Sequence, residues 1–337
     1  MPKRNGNTVF FDSPPTVQSF AAIVGKKEGD GPLGQYFDAV YEDTTLGQSS
    51  WEKAESMMQR DCAGKAIEKA GICQSDIQYM LAGDLLNQCI SSTYGLRDMS
   101  IPYVGLFGAC STMAESLALS SMLVDGQFAK NCLCVTSSHF CSAERQFRFP
   151  LEYGGQRTPT SQWTATASGS AIISTSSNNG PYIKAATMGT IEDYGIKDMS
   201  NMGAAMAPSA AETIKHFLTD SSLSPNDFDL IVTGDLGFHG SSLLVELLQR
   251  EDIDISSVHN DCGMMLFDVE TQNVGAGASG CGCSAAVICS YILSQIQSDS
   301  LRNVLFAGTG SLMSPTSMMQ GETIPCVTHA VHFCSSK

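Results

Sequence analysis

The sequence predicts an α/β protein built from two duplicated halves packed in layers. Three observations predict it. Residues 76–85 (Asp-Ile-Gln-Tyr-Met-Leu-Ala-Gly-Asp-Leu) align without a gap on residues 227–236 (Asp-Phe-Asp-Leu-Ile-Val-Thr-Gly-Asp-Leu). Each copy follows an amphipathic helix and a turn: helix 51–70 with turn 71–75, and helix 207–218 with turn 219–226. Each is followed by a Cys-led helix and another apolar strand. Self-similarity in the order of elements is the mark of a repeated unit, and strands alternating with helices imply layers of both.

In chain order, residues 25–47 are rich in Gly and Asp and read as a loop over the body. Residues 101–107 read as a buried strand, and residues 111–125 as a helix with Met113, Leu117 and Met122 apolar. Lys130-Asn131 opens a strand over 132–138, and Arg302-Asn303 opens its counterpart over 304–307. The second Cys-led helix spans 281–297. Residues 143–163 carry Glu144, Arg145, Arg148, Glu152 and Arg157 among aromatics and form a long irregular excursion, a common home of function. The domain boundary falls at 180/181, giving halves 1–180 and 181–337.

Composition excludes several classes. A net charge of −15 argues against nucleic acid, which requires a basic face, and offers no polybasic patch to anionic lipid. The longest apolar run, residues 285–293, falls short of the roughly 20 residues that span a bilayer. The basic first residues lead into no apolar core, so no signal peptide is expected. Thirteen cysteines in such a chain read as thiols; the CxC pairs Cys132/Cys134 and Cys281/Cys283 have poor spacing for zinc, and no metal site is expected.

Cys110 lies between the apolar run and the helix that follows it. There the unpaired N–H groups of a helix start favour a thiolate and an oxyanion. Buried structural thiols are the alternative. Ser111 and Thr112 add hydroxyls to the same helix start. Asp84 and Asp235 occupy matching places at strand C-termini, where α/β folds open onto ligands. They either flank a pocket, through a proton, a water or Ca²⁺, or cap helices. His139 ends its strand and either bonds a carboxylate ligand or is a satisfied structural histidine. Cys281 heads the second helix. Arg145 and Arg148 suit bidentate carboxylate recognition, or else pair with Glu144 and Glu152. His239, four residues past Asp235, either reaches the site or lies on the surface.

A duplicated α/β unit with a cysteine at a strand–helix elbow resembles the thiolase superfamily, and more closely the stage V sporulation protein AD family. Gly31-Pro32-Leu33-Gly34, Ala82-Gly83-Asp84-Leu85-Leu86-Asn87-Gln88 and Phe107-Gly108-Ala109-Cys110-Ser111-Thr112 carry the resemblance. So do Thr136-Ser137-Ser138-His139, Ala143-Glu144-Arg145-Gln146-Phe147-Arg148, Glu152-Tyr153-Gly154-Gly155-Gln156, Ala205-Met206-Ala207-Pro208 and His259-Asn260-Asp261-Cys262-Gly263. The resemblance implies a thiolase-like α/β/α/β/α sandwich and a homodimer, with strand 132–137 pairing across the dyad. It implies a dipicolinic-acid-binding protein of spore formers that works with integral membrane partners. Its expected place is the cytoplasm of the forespore and spore, peripheral at the inner membrane.

Active relatives in the superfamily add two polar groups from the second half. Here those places hold Gly234-Asp235 and Gly280-Cys281-Gly282, with no imidazole. A cysteine nucleophile needs a base in reach. The expected protein is therefore non-catalytic, binding ligand through Cys110, Ser111, Asp84, Asp235, His139 and Cys281. No cofactor is expected unless Ca²⁺ arrives with the ligand. The alternative is an acyltransferase or ketoacyl synthase with Cys110 as its nucleophile.

Overall fold

The structure is a computed structural model that describes residues 3–147, 157–175 and 180–336. Of the ten strands on the main path of the sheet, five come from the first half: β1 (Thr16–Gly25), β2 (Tyr79–Gly83), β3 (Tyr103–Gly105), β4 (Asn131–Ser138) and β5 (Ala167–Ser174). Five come from the second: β6 (Tyr182–Thr187), β7 (Leu230–Thr233), β8 (His259–Asp261), β9 (Asn303–Ser311) and β10 (Cys326–Cys334). They line up as β1-β5-β4-β2-β3 and β6-β10-β9-β7-β8. In each set the first two pairings are antiparallel and the last two parallel. The two aligned segments thus become β2 and β7, in equivalent places, and the expected duplication is present in the fold.

The strands sort side chains alternately to two faces, and this builds the layers. In β4, Cys132 and Cys134 face the central core while Leu133 and Val135 face an outer one. In β9, Val304 and Phe306 face the centre, Leu305 and Ala307 the opposite outer core. The central layer holds α2 (Thr112–Asp125) and the helix that begins as Cys281–Val287 and runs on through Leu293–Gln297. The first outer layer is α1 (Trp51–Ala70). Ser50 caps it by accepting from the Lys53 N–H, Gly71 ends it at φ 67°, and Ala54, Met58, Cys62 and Ala66 repeat every four residues on its buried face. The other outer layer is the helix Met202–Ser221, capped by Asn201. It starts five residues before the expected 207, and Pro208 lies inside it.

Three expectations change. Residues 101–107 do not form a buried strand; β3 is three residues long and exposed, because it lies at the sheet edge with β2 as its only described neighbour. β4 lies between β2 and β5, so both its edges are taken and it cannot pair across a dyad. Residues 25–47 contain a strand, Ala39–Tyr41, paired with β1, rather than only loop. The excursion begins inside α3 (Phe140–Phe147), and Arg148, Glu152, Gly154 and Gly155 lie outside the described residues.

Candidate functional site

The turn Ala109–Ser111 carries Cys110 from the edge of the sheet into α2. Ala109 has a left-handed φ of 51°, a conformation costly for a residue with a Cβ and one that aims the next side chain sharply. Cys110 is 5% exposed and packs with Leu85, Ala143 and Cys281. Asp235 arrives from the opposite half, two residues past β7, and is fully buried. Its carboxylate accepts from Ser279 Oγ (3.1 Å), Gly280 N (2.9 Å) and Thr309 Oγ1 (2.9 Å), and the Cys110 thiol lies close enough to feel its charge. Gly280 stands at φ 99°, and a Cβ there would lie 2.9 Å from Ser138 Oγ, so the close approach of the two halves requires glycine.

Burial raises Asp235 to about 7, against the hydrogen bonds that favour its charge; the neighbouring Asp261 pushes the same way as burial. Burial also pushes the Cys110 thiol well above its ordinary value, and the Asp235 carboxylate adds to that. The expected thiolate is thus corrected: the helix start is outweighed by desolvation and by a facing carboxylate. Both effects favour the neutral thiol at Cys110.

Beside this pair lies a cavity of ≈ 280 Å³. Leu85, Phe107, Phe147 and Met202 give it apolar walls. Thr164, Ser279 and Ser311 supply hydroxyls, and Glu144 a carboxylate held by Arg157 at 2.9 Å. Arg157 also lies over the stacked rings of Phe140 and Trp163.

The other expected residues stand elsewhere. Cys281 is behind Cys110, its thiol donating to Ser137 O (3.0 Å). Ser111 is buried and donates to Gly108 O (2.7 Å), away from the cavity wall. Asp84 accepts from Leu86 N, Ser92 N and Ser92 Oγ (2.9, 2.8 and 2.7 Å), which is capping. His139 is buried; its Nδ1 accepts from Cys141 N, so Nε2–H donates to Thr44 O at 2.9 Å, and burial lowers its pKa. Of the six expected ligand residues only Cys110 lines the cavity; Asp235 and Cys281 stand behind it, and Ser111, Asp84 and His139 are elsewhere. Arg145 pairs with Glu52, and His239 is exposed on the helix Gly237–Gln249.

Sequence reasoning missed Thr309, Ser279 and Glu55. Thr309 had a signal in its Gly308-Thr309-Gly310 setting, a strand thinned for close approach. Glu55 had another: it falls on the buried side of α1. It accepts from Ser137 Oγ and Ser142 Oγ, and burial, with the Asp84 charge, raises it to about 8.

The sequence matches the stage V sporulation protein AD family over residues 5–334. It is 44% identical over 326 residues to stage V sporulation protein AD of Bacillus subtilis (strain 168), covering 97% of this chain and 96% of that protein. The fold is similar to 3-oxoacyl-[acyl-carrier-protein] synthase III of Aquifex aeolicus, with TM-score 0.56, 11% identity and coverage of 95% and 99%. It is also similar to cerulenin-bound OleA of Xanthomonas campestris, with TM-score 0.60, 12% identity and coverage of 96% and 97%. At those identities the likeness speaks for the thiolase-like fold alone. The chain therefore belongs to the stage V sporulation protein AD family.

Proposed function

We propose that this protein is a non-catalytic thiolase-fold component of sporulation that binds dipicolinate beside Cys110 and passes it to integral membrane partners. The observation that carries the non-catalytic reading is the setting of Cys110: a buried thiol beside a carboxylate, with no imidazole on the cavity wall among the described residues. Apolar walls suit the pyridine ring, and the hydroxyls suit its carboxylates. A calcium chelate of dipicolinate has no net charge, so moving it past Glu144 and Asp235 costs less than moving the free dianion. Calcium's preference for oxygen ligands fits the same donors.

The family points to work inside the forespore and spore. No described helix is long and apolar enough to cross a membrane, so association at the inner membrane would be peripheral, through partners. A homodimer built on the open edge of β3 completes the proposal; Tyr103 and Val104 are exposed there.

The test is a calorimetric titration of the pure protein with dipicolinate, with and without Ca²⁺. Saturable binding, tighter with Ca²⁺, is expected; no binding in either condition would overturn the reading. A second reading, acyl transfer, is favoured by one observation, the contact between Cys110 and a carboxylate titrating near neutrality. It is opposed by the direction of the thiol's shift.

A further inference from the structure

A second cavity, open and of ≈ 970 Å³, lies on the outer side of α3. Lys53, Arg60, Arg97 and Arg145 line it, against the acids Glu52 and Asp98. Four of the chain's 19 Lys and Arg thus converge on one hollow in a molecule of net charge −15. The capped start of α1 opens into it through Ser50, adding the positive end of a 20-residue helix. Its ion pairs reach solvent on the cation side: Arg145 with Glu52, Arg60 with Asp61 at 3.1 Å, and Arg97 with Asp98 at 3.8 Å. Such pairs are weak and exchange readily for a better anion. Tyr94, 60% exposed with Arg97 over its ring, offers an aromatic face beside the cations.

One helix separates this hollow from the inner cavity. Ala143, Glu144 and Phe147 face the Cys110 side; Ser142, Arg145 and Gln146 face the outer side. The wall continues into the loop after β2, with Leu85 inside and Leu86 and Asn87 outside. Gln146 ties the two parts together, donating to Leu85 O (3.2 Å) and accepting from Asn87 N (3.1 Å). The same loop holds two successive left-handed residues, Gln88 (φ 57°) and Cys89 (φ 52°), the kind of local strain that gathers at ligand sites.

We propose that the outer cavity is a second docking site, for a small aromatic dicarboxylate in its free, dianionic form. The ligand's identity rests on the reading above; the site rests on the cations, the helix start and the shared wall. It is the antechamber from which the ligand reaches Cys110.

The test is dipicolinate binding without Ca²⁺, at low and high NaCl, to wild type, Cys110→Trp, Lys53→Gln/Arg97→Gln and the combination, each checked for folding by circular dichroism. In Cys110→Trp a weak site should survive, weakened roughly tenfold by removing both cations and also by salt. Wild-type binding with none left in Cys110→Trp would overturn the outer site and leave the inner one standing. Equal binding in wild type and Cys110→Trp, lost in Lys53→Gln/Arg97→Gln, would support the outer site and overturn the inner one. No binding to any form would overturn both.

Discussion

Asp235 of the second half lies beside Cys110 of the first, while Asp84, its counterpart in the duplication, spends its oxygens on Leu86 and Ser92. The difference lies in a third carboxylate. Asp261 accepts from Leu236 N and Gly237 N (both 2.9 Å), the capping work that Asp84 performs for itself in the first half. Relieved of that work, Asp235 turns its oxygens to Ser279, Gly280 and Thr309, beside the Cys110 thiol. One repeat uses its aspartate to hold the following loop, while the other sets its aspartate behind Cys110, between the two halves.

The thiol should therefore be sluggish. With limiting iodoacetamide at neutral pH, exposed Cys73 should label first and Cys110 slowly, read by peptide mass spectrometry. Asp235→Asn removes the facing charge and should speed labelling of Cys110. Rapid Cys110 labelling in the wild type, or turnover of an acyl-CoA that vanishes in Cys110→Ala, would favour the acyl-transfer reading.

Asp84→Ala should cost stability and spare binding. It strands the Leu86 and Ser92 donors in a buried place, a loss of about 2 kcal/mol or more in chemical denaturation. Dipicolinate affinity of the folded variant should match the wild type, whereas Asp235→Ala should change it. Equal effects of the two substitutions on affinity would contradict the division of roles.

Stability should fall as pH rises from about 6.5 to 8, above the range in which His259, His329 and His332, held near 4 by burial, act in the opposite sense. Glu28 and Asp235 stand near 7 and Glu55 near 8, all raised by burial above their unfolded values. Below the unfolded pKa both states are protonated and nothing is lost. Between the two pKa values the unfolded chain ionises first, so unfolding is favoured by up to about 1.4 kcal/mol per pH unit for each group. Glu55→Gln should flatten the slope of unfolding free energy against pH; an unchanged slope would show that Glu55 ionises freely in the fold.

Light scattering at micromolar concentration should give a dimer mass. Val104→Lys, on the exposed edge strand, should shift it toward monomer, since a charge on an edge blocks strand pairing. A monomeric wild type would remove the dimer from the account.

Much of the fold was legible because it rests on local patterns. The aligned segments 76–85 and 227–236 announced β2 and β7, and Ser50 and Gly71 bracket α1 with ordinary caps. The place of Cys110 was legible for the same reason. What was hidden depends on partners far away in sequence. His139 is satisfied by Thr44, 95 residues away, and Asp84 differs from Asp235 only through Asp261 and Ser92. The exposure of β3 follows from strand order, which residues 101–107 do not encode by themselves.

The most direct test of the central claim is equilibrium binding of dipicolinate, with Ca²⁺ present, to wild type and to folded Cys110→Trp. An indole in place of the thiol would fill much of the ≈ 280 Å³ cavity without touching Asp84 or the outer hollow. The account predicts affinity weakened by at least about tenfold, or 1.4 kcal/mol, with thermal unfolding still cooperative. Undiminished affinity in that folded variant would contradict it and place the ligand elsewhere.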